Sequence, residues 1–151
     1  MPVVALASSR TDPTLQRYII NDLNTNSAIA NPAHDEKLIV APVVPDVPQM
    51  YSLSGYAYGG GGRRVTRVEI TLDAGDTWTL CHIDYPEDLY RQRPFKSEVW
   101  GTLDLTDRDE SFCWAFWKLD VPVSALVEAG SVAVRAMDQG LNLQGQSMYW
   151  K

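Results

Sequence analysis

Between residues 64 and 72 the chain alternates apolar and polar side chains in the manner of a strand. Val68, Ile70 and Leu72 fall on one side, and Arg67, Glu69 and Thr71 on the other. A period of two puts alternate residues on opposite faces of an extended strand. Such a strand is stable only when its apolar face meets a second layer. Asp73-Ala74-Gly75-Asp76 then supplies a tight turn, and residues 77–83 are expected to return as the hairpin partner.

The same pattern recurs along most of the chain. Strands are predicted over residues 37–41, 50–58, 112–121 and 131–137, with a last one beginning at 147–150. Ser27-Ala28-Ile29 is expected to pair briefly, and residues 18–23 form a short strand or one helical turn. Pro42, Pro45 and Pro48 make an extended connection that cannot pair as a central strand. Residues 84–110 read as a long polar excursion with a weak strand near 100–105, and residues 123–129 as a connector of about one helical turn. Asp138-Gln139-Gly140 turns the chain again. Residues 1–17 show no period and read as a loose lead-in. About seven short strands separated by turns predict an all-β antiparallel sandwich, with helix under about a tenth of the chain.

Apolar residues make up 45% and charged residues 21%, which suits a folded domain with a real core. The net charge of −6 disfavours nucleic acid and anionic membrane surfaces, both of which attract Lys and Arg. No apolar run reaches the roughly 18–20 residues that span a bilayer. The opening residues lack the basic start of a secretory signal, so a cytoplasmic protein is expected. In that compartment Cys81 and Cys113 are expected to be free, largely buried thiols, with a single inter-sheet bridge as the alternative.

No residue is assigned a catalytic, cofactor-binding or metal-ligating role. His34 and His82 lie far apart, without a Cys or His at ligand spacing. His82 and Cys81 face opposite sides of one strand and cannot share an ion. Cys113 could meet His82 only through the fold, and a buried core thiol is expected instead. Gly59-Gly60-Gly61-Gly62 precedes a strand rather than a helix, so it reads as a flexible hairpin loop and not a phosphate loop. Arg63, Arg64 and Arg67 form the one compact positive cluster, open to an anion or an acidic partner. Asp104, Asp107, Asp109 and Glu110 lack the ligand spacing of a calcium loop and read as solvated. Trp114 and Phe116 share one face of their strand, and Cys113, Ala115 and Trp117 share the other. Both faces are therefore expected to be covered, one by the sandwich core. The other is expected to meet a twin subunit or a second domain, with burial under the 84–110 excursion as the alternative.

Four stretches together resemble the dimerisation domain of the sulfite oxidase and nitrate reductase family. The first is Tyr18-Ile19-Ile20-Asn21-Asp22-Leu23-Asn24-Thr25-Asn26-Ser27-Ala28-Ile29, followed by Pro32, His34 and Glu36. The second begins Gly55-Tyr56-Ala57-Tyr58-Gly59-Gly60-Gly61 and runs from Val65 through Asp73-Ala74-Gly75-Asp76-Thr77-Trp78. The third is Phe112-Cys113-Trp114-Ala115-Phe116-Trp117, and the fourth is Val134-Arg135-Ala136-Met137-Asp138-Gln139-Gly140-Leu141-Asn142-Leu143-Gln144. The first and third look more like nitrate reductase than sulfite oxidase, and the excursion beginning Asp84-Tyr85-Pro86 looks like the fungal form. The resemblance implies an immunoglobulin-like sandwich over residues 18–151, truncated at its C-terminal end, that holds two subunits together. The implied partners are a twin copy and a molybdenum-pterin domain. The implied parent reduces nitrate to nitrite with electrons passed from a nicotinamide cofactor through FAD and haem to a molybdenum-pterin centre. The family's molybdenum-ligating cysteine belongs to the preceding domain, and Ala115 stands where a cysteine is often found. The alternatives are a sulfite oxidase-type parent and a stand-alone immunoglobulin-like interaction domain.

Overall fold

Two antiparallel sheets pack face to face around an apolar core. The computed structural model describes residues 22–33, 36–40, 48–112 and 114–145. The first sheet is built from β1 (Asn26–Asn31), β2 (Met50–Tyr58), β8 (Ala115–Pro122) and β5 (His82–Asp84), in the order β1-β2-β8-β5. The second holds β4 (Thr79–Leu80), β3 (Val65–Thr71) and β9 (Ala133–Asp138), in the order β4-β3-β9. A separate hairpin joins β6 (Phe95–Ser97) to β7 (Gly101–Leu103). The helices are short: α1 (Asp88–Arg91) has four residues and α2 (Val123–Glu128) has six. The all-β, immunoglobulin-like sandwich expected from the sequence is the fold observed.

The core follows from alternation on both sheets. Leu53, Ala57, Ala115, Trp117 and Val121 point inward from the first sheet. Val65, Val68, Ile70 and Ala136 meet them from the second. Trp117 is the largest fully buried side chain, and its indole nitrogen donates to the Tyr56 carbonyl at 3.2 Å. Room for the ring comes from Gly55. A Cβ there would lie 2.0 Å from the Ala28 carbonyl oxygen and 2.5 Å from the Trp117 ring.

Two expected strands are corrected. Residues 36–40 carry no strand, because Ile39 and Val40 both face solvent and no face of the segment packs on the core. Position 41 lies outside the described residues. Residues 77–83 are not one hairpin partner. β4 pairs with β3, and the Cys81 amide still donates to the Val68 carbonyl at 2.9 Å. Then β5 leaves to pair with β8 in the opposite sheet. Cys81 is buried at this switch and turns its side chain into the core. The weak strand expected near 100–105 is the second arm of the β6–β7 hairpin. The stretches 18–21 and 147–150 lie outside the described residues.

One buried carboxylate ties the loops of one end together. Asp138 is fully buried at the end of β9. It accepts from Thr25 Oγ1 at 2.7 Å, Arg63 Nε at 2.8 Å, the Gly140 amide at 2.8 Å and the Asn142 amide at 3.1 Å. Asn142 Nδ2 adds a further donor at 3.0 Å. Burial alone would push this carboxyl's pKa up, but the hydrogen bonds from Asn142, Thr25 and Arg63 outweigh it and hold the group well below the ordinary carboxylate range.

A group depressed in this way contributes stability above the unfolded carboxylate pKa of about 4 and loses it as the pH falls below that value. Asp138→Ala is therefore expected to cost about 3–5 kcal/mol, because Arg63 and its fellow donors are left unpaired. The check is the urea midpoint at pH 7 and at pH 3, where the gap between parent and variant should narrow on acidification.

Candidate functional site

The outward face of the first sheet carries the most conspicuous unpartnered surface. The register of β2 and β8 sets Tyr56 opposite Phe116, Ser54 opposite Lys118, Ser52 opposite Asp120 and Met50 opposite Pro122. On the edge, β5 adds His82 beside Lys118 and Asp84 beside Phe116. Trp114, just before β8, stacks on Tyr56 with ring centroids 4.7 Å apart and lies 6.2 Å from Tyr58. An aromatic end thus grades into a charged middle. Ser54, Tyr56, His82, Asp84, Phe116 and Lys118 surround an open hollow of about 370 Å³.

Trp114 is 53% exposed and Phe116 48%. Among the described residues, nothing covers these rings. The alternative that the 84–110 excursion folds over them does not hold there. The excursion packs against the glycine loop instead. Ser111 donates its amide to the Gly62 carbonyl at 2.7 Å and its hydroxyl to Glu87 at 2.6 Å. Arg91 donates to the backbone carbonyls of Arg108 and Glu110. Lys118, His82, Asp84 and Asp120 make no side-chain hydrogen bond or ion pair among the described residues.

The opposite outer face, on the second sheet, is chemically closed. Glu69 is buried between Arg67 and Arg135, both ion-paired to it. Arg135 also lies 3.8 Å above the Trp78 ring. Charges satisfied within one face have no unmet need for a partner.

Arg63, Arg64 and Arg67 do not form a free positive cluster. Arg63 is held by Asp138 and, at 2.7 Å, by Asp22. Arg64 pairs with both carboxylate oxygens of Asp88 at 2.7 Å and lies 3.7 Å above the Tyr85 ring. Arg67 pairs with Glu69. The acidic positions 104, 107, 109 and 110 are exposed, with Asp104 accepting from Thr106. Gly61 and Gly62 take positive φ, as a tight loop requires, yet the loop is packed against Asp22, Glu110 and Phe112. His34 and Cys113 lie outside the described residues. Cys81 is a free thiol. Its burial, helped by the charge of Glu69, pushes its pKa up to about 12. No group of three His, Cys, Asp or Glu side chains among the described residues is placed to hold a metal ion. No described helix is long and apolar enough to cross a membrane.

Sequence reasoning placed Trp114 and Phe116 on one face but missed Lys118, His82 and Asp84 as their neighbours. The alternation of His82 and Asp84 was visible. What was hidden was the sheet switch at Cys81 that carries β5 across to β8.

A family model described as the Mo-co oxidoreductase dimerisation domain matches residues 17–151. The chain belongs to this family. The dimerisation domain is 49% identical over 136 residues to the nitrate reductase (NADPH) of Fusarium oxysporum, covering 89% of this chain and 15% of that protein. It is 52% identical over 138 residues to the nitrate reductase (NADPH) of Mycosarcoma maydis, covering 89% and 14%. To a nitrate reductase (NADH) of Brassica napus it is 44% identical over 133 residues, covering 88% and 13%. The dimerisation domain therefore spans about 15% of the length of the curated relatives it matches. Among solved structures, the sulfane dehydrogenase SoxCD from Paracoccus pantotrophus is similar with a TM-score of 0.45 and 20% identity, over 80% of this chain and 23% of that one.

The raised pKa of Cys81 yields a direct expectation. In a Cys113→Ser variant at pH 8, an aromatic disulfide reagent should modify Cys81 about a hundredfold more slowly in the native domain than in urea, because only thiolate reacts. Equal rates in the two states would contradict the burial described.

Proposed function

We propose that this dimerisation domain joins two subunits of a molybdenum-dependent nitrate reductase and acts as a non-catalytic module of that enzyme. The observation that carries the reading is the uncovered aromatic and charged outer face of the first sheet. Exposed apolar patches beyond a few hundred Å² usually mark contacts, and a symmetric pair covers such a patch by using it twice. The fungal and plant relatives support nitrate as the parent's substrate. On this reading residues 18–151 form the module and residues 1–17 lead into it. Its partners are a twin copy and the parent's molybdenum-pterin domain, in the cytoplasm, with neither nucleic acid nor membrane involved. Molybdenum-pterin, haem and FAD belong to the parent's other parts. No chemical step is assigned to this chain.

Sedimentation equilibrium of the purified chain over a range of concentrations is expected to give a monomer–dimer equilibrium. The same preparation, supplied with nitrate and an artificial electron donor, is expected to form no nitrite. A monomer at every concentration that binds no hydrophobic dye would overturn the subunit-joining role. Nitrite formation would overturn the non-catalytic one.

A further inference from the structure

Exposed large apolar side chains include those on the outer face of the first sheet and those on the β6–β7 hairpin, with Phe95, Val99 and Trp100. The sheet face differs in having an ordered pattern of chemistry along its strands. Read along β2 and β8, its four rows are Tyr56 with Phe116, Ser54 with Lys118, Ser52 with Asp120, and Met50 with Pro122. The sequence of rows is apolar, cationic, anionic, apolar.

Such a pattern complements itself when reversed. The geometry points to a two-fold interface between two copies of this chain, made by the outer faces of β2 and β8. Its axis lies in the plane of the interface and crosses the strands at the level of the paired Leu53 and Leu119. Reversal about that axis sets Lys118 against Asp120 of the partner subunit, twice by symmetry. It also lays the Tyr56–Phe116 row over Met50 of the partner subunit and Pro122 of the partner subunit. This assignment rests on the subunit-joining reading above and adds the face, the axis and the pairing.

Three features support a twin copy as the occupant. Lys118 and Asp120 are exposed and have no partner within the described chain. Successive rows on a strand face stand about 7 Å apart, so one shift of register would set like charges opposite each other and is disfavoured. The Trp114–Tyr56 stack is already formed, so ordering those rings on association costs little. With the flanking strands β1 and β5 included, the face covers about 20 Å along the strands and about 15 Å across them. The total buried area is then on the order of 1,000 Å², at the lower limit of a specific interface, and a dissociation constant in the micromolar range is expected.

The test is sedimentation equilibrium on the full chain, the Lys118→Asp and Asp120→Lys variants, and their equimolar mixture. Both positions are exposed, so each variant should keep the parent's urea midpoint. Each variant alone brings two like-charged pairs together and is expected to self-associate about tenfold more weakly. In the mixture every pair is opposite in charge, so a heterodimer at least as tight as the parent dimer is expected. A parent that dimerises while both variants match its affinity would overturn the face and leave the subunit-joining reading standing. A parent that stays monomeric overturns both. Weakened variants whose mixture fails to recover would overturn the Lys118–Asp120 pairing.

Discussion

The carboxylate of Asp138 organises the end of the sandwich where three of the four family-like stretches meet. Thr25 reaches it from the lead into β1, Arg63 from the glycine loop after β2, and Gly140 and Asn142 from the turn after β9. Gln144 extends the same tie, donating to Asn26 at 2.8 Å and accepting from the Ser27 hydroxyl. A buried charge is tolerated only when its lone pairs are filled, and here they are. Loops whose own leucines, Leu23, Leu141 and Leu143, face solvent are fixed by this one group. It also accounts for the polar side chains of Asn142 and Gln144 close after Asp138.

From that anchor the two outer faces diverge. The second sheet spends its charges internally, with Glu69 clamped by Arg67 and Arg135 and the latter laid over Trp78. The first sheet leaves Lys118 and Asp120 unpaired among the described residues, beside a stack of aromatic rings. The inward side of the same strand, through Ala115, Trp117 and Val121, belongs to the core. Its outward side mixes Phe116 and Pro122 with Lys118 and Asp120, and nothing among the described residues covers it.

Much of this was legible from residue pattern. The alternation of β3, the turn at Asp73 and the split of Trp114 and Phe116 from Trp117 all follow from a period of two, which is a local property. Contacts between distant segments were not legible. The run from Thr77 to Ile83 looks continuous, yet it changes sheets at Cys81, because the pairing of β5 depends on where β8 lies. Ile39 and Val40 had the composition of a strand but no layer to pack on. The arginines after the glycine loop looked like a free cluster because Asp22, Asp88, Glu69 and Asp138 are recruited from remote or cross-strand positions.

On the proposed arrangement the domain meets its twin through the outer face of the first sheet and not through the β6–β7 hairpin. Hydroxyl-radical footprinting across the concentration range of association separates the two, because each surface carries its own exposed tryptophan. Oxidation of Trp114 is expected to fall as the chain associates while Trp100 stays as reactive as in the monomer. Protection of Trp100 with Trp114 unchanged would contradict it.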